Sequence, residues 1–259
     1  MRIIPRALFI ISLVYSACGA ADLDTAVQIR ECVRANSPES TSMQLIELES
    51  QDRTGRKRTM DAQLRWKKHE DGHVRLLIRV LGPQDLKGSS YLVIENQPRD
   101  TVYTYLPALG RPRRIVGGGS KDIWGTDFSY EDIRLMQMKD SVTDDERLDD
   151  EVIAGKPVYV IAQRPDPTQE SAYSRIVSYI DKDTCVAIRT EYYESDDQLR
   201  KRLVVDPGSV SQVSELWTAH SLEMTDLHDE TTSWLRIKKI TYDEEMSSRY
   251  FNTVQFWRN

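Results

Sequence analysis

The sequence predicts a mainly β chain: an antiparallel meander of about eleven strands, with a helix in front and a helix or loop in the middle. Three observations carry this reading. Apolar residues recur with period two over most of the chain, turn dipeptides separate the runs, and no strand–helix–strand alternation is present. The last point argues against a parallel nucleotide-binding sheet. Antiparallel strands with one apolar and one wet face remain.

The first twenty residues set the compartment. Arg2 and Arg6 flank the start, Ala7 to Tyr15 is apolar, and Ser16 to Ala20 supplies small residues. That is the layout of a secretory signal peptide, too short to span a bilayer. Residues 1–20 are therefore expected to be removed, leaving 21–259 as one exported, periplasmic domain. A lipid anchor at Cys18 is the alternative. Export leaves Cys32 and Cys185, which either pair in an oxidising compartment or stay apart, as their distance in the fold decides.

Asp22 to Ala35 reads as a helix capped by Asp22 or Asp24, with Leu23, Ala26, Val27, Ile29 and Val33 at helical spacing. Asn36-Ser37-Pro38 ends it. Period two then begins with Met43 to Glu49. Met60, Ala62, Leu64 and Trp66 alternate with polar residues, Asp71-Gly72 marks a hairpin, and Val74, Leu76, Ile78 and Val80 follow. Ser89–Glu95 and Thr101–Leu106 continue the meander.

Tyr103 to Asp132 cannot lie flat in a sheet. Pro107, Pro112 and Gly117-Gly118-Gly119 break it, and Arg111, Arg113 and Arg114 make it basic. It ends in the aromatic, acidic Trp124 to Asp132, and Ser129 to Met138 reads as a short helix. The acidic 144–151 run reads as a solvated loop, or as an internal partner of the arginines. Strands resume at Pro157–Gln163, Tyr173–Ile180, Cys185–Glu194, Leu199–Val205, Glu215–His228 and Thr231–Tyr242. A short apolar segment, Tyr250 to Trp257, closes the chain.

The net charge of −6 argues against a nucleic-acid partner. His69-Glu70-Asp71-Gly72-His73 fits the zinc-protease string literally. Its Asp-Gly turn between two strands denies the histidines one helix face, so no metal site is expected. Gly117 to Lys121 has the wrong order for a phosphate loop. No nucleophile–base set and no cofactor motif can be assembled, so the chain is not expected to be an enzyme. The arginine cluster suits anionic headgroups or an acidic partner.

Gln84-Asp-Leu-Lys-Gly-Ser-Ser-Tyr-Leu92, Tyr103-x-Tyr-Leu-Pro-Ala-Leu through Arg113-Arg-Ile115, and Trp124-Gly-Thr-Asp-Phe-Ser-Tyr-Glu-Asp132 resemble the motifs of the outer-membrane lipoprotein-sorting family, relatives of the lipoprotein carrier LolA. Tyr173-Ser-Arg-Ile and Arg189-Thr-Glu-Tyr-Tyr also fit. The resemblance implies a half-open antiparallel β-barrel covered by an N-terminal helix and a mid-chain helix or loop lid. It further implies an apolar cavity for lipid or lipoprotein acyl chains, transient membrane contact, and work beside an RND-type (MMPL-like) transporter. The alternative is an accessory subunit of such a transporter without its own cargo. On this reading Leu64, Trp66, Leu76, Ile78, Leu92 and Ile94 line the concave face, with Trp124 and Phe128 above. Arg111, Arg113 and Arg114 contact headgroups or a partner.

Overall fold

A computed structural model describes residues 22–96, 100–115, 122–136, 143–165 and 171–258. The expected signal peptide, Cys18 and the Gly117–Lys121 run lie outside the described residues. Helix α1 spans Ala26–Arg34. Six strands follow: β1 (Thr41–Gln51), β2 (Lys57–Lys68), β3 (Val74–Gly82), β4 (Ser90–Ile94), β5 (Thr101–Tyr105) and β6 (Pro112–Ile115). After helix α2 (Tyr130–Met136) come β7 (Thr143–Ile153), β8 (Lys156–Pro165), β9 (Arg175–Asp181), β10 (Ala187–Tyr193) and β11 (Leu199–Val205). The small hairpin β12 (Val210–Val213) and β13 (Leu216–Ala219) precedes β14 (Ser221–Asp226) and β15 (Thr231–Tyr242).

Thirteen strands form one antiparallel sheet in the order β6-β5-β4-β3-β2-β1-β15-β14-β11-β10-β9-β8-β7. The sheet is mainly antiparallel as expected and does not close into a barrel. The chain runs from the centre to one edge, crosses to the other, and returns to pair β15 with β1. Because β6 and β7 are consecutive in sequence yet stand at opposite edges, the segment between them must traverse a face of the sheet.

Register gives that sheet two consistent faces. Trp66 pairs with Leu76, Leu64 with Ile78, Ile46 with Ile237, Leu48 with Leu235, and Val205 with Leu222, so one inner face runs across the strands. Leu64, Trp66, Leu76, Ile78, Val93, Leu203, Met224 and Leu235 share its core with Ile123, Phe128 and Ile133 of the crossing segment. The next residues along, Leu77 and Leu92, face the other way. There they are covered by Phe251 and Phe256 of the C-terminal segment, with Ile94 and Tyr103 packed alongside. Trp257 stacks on Tyr105, ring centroids 5.2 Å apart. Leu92 and Ile94 are therefore not on the concave wall as expected. A period-two strand places them one residue out of phase with Tyr91 and Val93.

Two further expectations change. The acidic 144–151 run is an edge strand, β7. Asp145 accepts from Arg30 and from Gln163, and Asp150 pairs with Arg147 and Lys182. Its carboxylates thus balance cations of the sheet and α1, not the arginines of the opposite edge. Charge on an edge strand also blocks pairing with other chains. The continuous strand expected from Glu215 to His228 is broken at His220, whose carbonyl accepts from Ile237 N at 2.8 Å while its own amide donates to Ser209 O at 3.1 Å.

Candidate lipid-binding cavity

Helix α1 begins at Thr25, not at Asp22 or Asp24. The Thr25 hydroxyl accepts from Gln28 N at 3.2 Å, and the Gln28 side chain accepts from Thr25 N at 3.1 Å. This reciprocal pair satisfies two donors at the helix start. The helix sets Ala26, Ile29 and Val33 on Tyr159, Ile161 and Ile180 of the inner face. A disulfide joins Cys32 to Cys185 with Cα atoms 5.6 Å apart, resolving the pairing left open by sequence. Beyond the helix, Asn36 donates to Thr184 O at 2.7 Å and accepts from Trp217 N at 3.0 Å. One end of the inner face is thus roofed by a covalently stapled wall.

The crossing segment roofs the rest, and nearly every residue of Thr126 to Asp132 has an anchor. Asp127 N donates to Ser233 Oγ at 2.9 Å, and its carboxylate accepts from Ser233 and Thr231. Phe128 is buried in the core. The Ser129 and Asp132 amides bond each other's side chains at 2.7 and 3.1 Å. Tyr130 donates to Asp100 at 2.6 Å, and Glu131 accepts from Ser171 and from Ala172 N. Asp132, fully buried, accepts from Tyr173 Oη at 2.6 Å and lies 3.3 Å from Lys201 Nζ, which also donates to Asp127 O at 2.8 Å. Lys201 stands on the inner face of β11, and no sequence signal marks it because a strand lysine is ordinarily a solvent residue.

Burial pushes the Asp127 carboxyl above the usual carboxylate range, partly offset by its hydroxyl donors. Asp122 is raised for the same reason, with Lys201 opposing. Burial, then the Asp132 charge, drives the Tyr173 phenol far up, so it remains a proton donor to that carboxylate.

Between sheet, α1 end and α2 lies a cavity of about 260 Å³. Leu64 and Trp66 line it. So do Ile176, Leu203, Val205, Leu235 and Ile237 from the second half of the sheet, with Ile133, Leu135 and Met136 of α2. Among the described residues, none of the lining side chains is charged. Leu76, Ile78 and Phe128 belong to the adjoining packed core. Trp124 packs on Tyr91, centroids 4.7 Å apart, and lines a separate, polar recess near Arg58 and Asp127. Its φ of 49° and the 76° of Gly125 put two successive residues in the left-handed region. Arg113 and Arg114 are exposed on edge strand β6 and Arg111 just before it, far in the sheet order from the cavity's second-half wall. The lining of the second half was present in the sequence as alternation in Tyr173–Ile180, Leu199–Val205 and Thr231–Tyr242. Only the β15–β1 pairing brings it opposite Leu64. The His69–His73 string is a hairpin tip, closed by His69 N to His73 O at 2.9 Å. Among the described residues no cluster suited to a metal is found.

An open antiparallel sheet thus holds a small, largely apolar cavity beneath α1 and α2. A family model described as an uncharacterised protein matches residues 72–258. The chain belongs to that family. No curated protein matches the sequence. Among solved structures, a DUF1329 family protein from Desulfovibrio piger superposes with TM-score 0.81 at 24% identity, over 87% of this chain and 95% of the other. A Vibrio parahaemolyticus domain assigned to outer-membrane lipoprotein sorting gives 0.78 at 24%, over 87% and 95%. A LolA superfamily protein from Nitrosomonas europaea gives 0.71 at 14%, over 89% and 98%. At these identities the likeness is one of fold.

Proposed function

We propose that the protein is a non-enzymatic periplasmic carrier that shields lipid or lipoprotein acyl chains in the inner cavity during transfer across the envelope. The observation that carries this reading is a partly open cavity whose described lining residues include no charged side chain. An acyl chain in water loses about 0.8 kcal/mol per exposed CH₂, so an aqueous carrier needs such a space. At about 260 Å³ the cavity lies just below the range of ordinary ligand sites, roughly 300–1,000 Å³. A long chain therefore requires the roof to move. The α1 side is stapled, so the segment around α2, held by packing, hydrogen bonds and ion pairs without a covalent link, is the part that yields. Leu64 and Trp66 contact the chain together with Ile176, Leu203, Leu235 and Ile237. Residues 1–20 act as the export signal, with anchoring at Cys18 as the alternative.

Mass spectrometry of lipid extracted from protein purified from its host tests the carrier reading. Co-purifying lipid, and displacement of an apolar fluorescent probe by fatty acid, are expected. Absence of both overturns it. A second reading, docking on an RND-type transporter without cargo, is favoured by the exposed arginines at the β6 edge. Arg113→Glu with Arg114→Glu separates the two. Lost pull-down of the transporter with intact lipid binding supports docking, and lost lipid binding supports headgroup contact.

A further inference from the structure

The cavity presents hydroxyls as well as hydrocarbon. Ser178 on β9 and Thr190 on β10 are cross-strand partners on the inner face, and both line the cavity. They are 1% and 7% exposed. Tyr192, two positions along β10, lines the same wall at 1% exposure. None of the three hydroxyls bonds another protein group among the described residues. Nearby hydroxyls behave otherwise: Tyr173 donates to Asp132, Tyr159 accepts from Leu23 N, and Thr218 bonds Tyr242. Buried polar groups left without partners cost stability, and a fold that satisfies the neighbours has left these three open toward one space. Burial pushes the Tyr192 phenol well above its ordinary range, so it stays a neutral donor at physiological pH.

Resting on the carrier reading, we propose that the cargo is an acyl chain bearing a hydrogen-bonding oxygen within its length, a hydroxyl or a carbonyl, and that Ser178 and Thr190 hold that oxygen inside the cavity. The surrounding Ile176, Leu203 and Leu235 accept the hydrocarbon on either side. A straight saturated chain would leave the hydroxyls unpaired and bind less well. Sites built to bond a polar group discriminate more sharply than apolar pockets do, because the unmatched ligand strands the protein's own polar atoms. Water bound by the hydroxyls is the competing occupant.

Competition against an apolar fluorescent probe on the full chain compares stearic acid with a positional series of hydroxystearic acids. One isomer should bind about tenfold more tightly than stearic acid, the factor that one well-made hydrogen bond supplies in a water-excluded site. Ser178→Ala with Thr190→Val should abolish that advantage, bringing every isomer of the series to the affinity of stearic acid. Tyr192→Phe, which leaves the pair in place, provides an independent variant in which a reduced advantage is expected. Equal binding across the series, as water-filled hydroxyls would give, overturns the inference. So does an advantage that survives the double substitution. Failure of every fatty acid to displace the probe overturns the carrier reading and the inference together, so the two failures are distinguishable.

Discussion

Lys201 is the side chain on which the crossing segment rests. It is 5% exposed, bonded to Asp127 O and paired with Asp132, which is itself fully buried. Removing one member of a buried pair strands the other charge, at a cost of about 3–5 kcal/mol. Lys201→Met should therefore lower unfolding free energy in urea by that amount, and adding Asp132→Asn should recover part of it. A loss below about 1 kcal/mol for the single variant would mean that the pair is not what holds the segment. Asp127 supplies a pH signature. Its folded-state carboxyl lies above the unfolded value because of burial, so its contribution is fully present below about pH 4 and is lost as pH rises through the folded value. The stability of the wild type relative to Asp127→Asn should fall as pH rises from about 4 through the raised folded-state value. A difference that grows over that window would refute the assignment. Sequence showed Asp127 and Asp132 as part of an acidic helix start. It did not show that they are buried, because their counter-groups Lys201, Tyr173, Thr231 and Ser233 are supplied by strands of the second half.

Among elements, α1 and β7 are instructive opposites. The helix was legible: helical spacing and a terminating Asn-Ser-Pro were in the text, and only the cap moved, from aspartate to Thr25. Thr25→Ala should cost about 1 kcal/mol by thermal melting. Its position over Tyr159 and Ile161 is set by tertiary contacts and by the Cys32–Cys185 bond, which closes a separation of 153 residues. Cys32→Ser with Cys185→Ser should destabilise the fold by about 2–5 kcal/mol. Under the carrier reading it should also speed probe entry at the stapled end; unchanged entry kinetics would show that the helix is not part of the gate. Strand β7 was not legible, since six carboxylates between 144 and 151 carry no strand signal. Its state follows from the company it keeps, with β8 on one side and Arg30, Arg147 and Lys182 as counter-charges.

Over the whole molecule, the crossing from β6 to β7 decides where the cavity is. The chain leaves one edge, lays α2 over the inner face and restarts at the other. The far side of the sheet is sealed by Phe251 and Phe256 against Leu77 and Leu92. Phe256→Ala should cost about 3–5 kcal/mol without altering probe affinity, because that cluster is separated from the cavity by the sheet itself. A large change in affinity with little change in stability would place the binding surface on the wrong face.

Period-two alternation, turn dipeptides and a helical stretch made the antiparallel class, most strands and α1 readable along the chain, because each rests on contacts between near neighbours. The same alternation put Leu64 and Trp66 on one face of β2, the face that lines the cavity. Strand parity then moved Leu92 and Ile94 to the opposite face, where the C-terminal aromatics cover them. The opposing wall, the Lys201–Asp132 pair, the Cys32–Cys185 bond and the unpaired hydroxyls of Ser178 and Thr190 depend on residues far apart in sequence. Their meeting is fixed by the order in which thirteen strands pair, and local periodicity carries no information about that order.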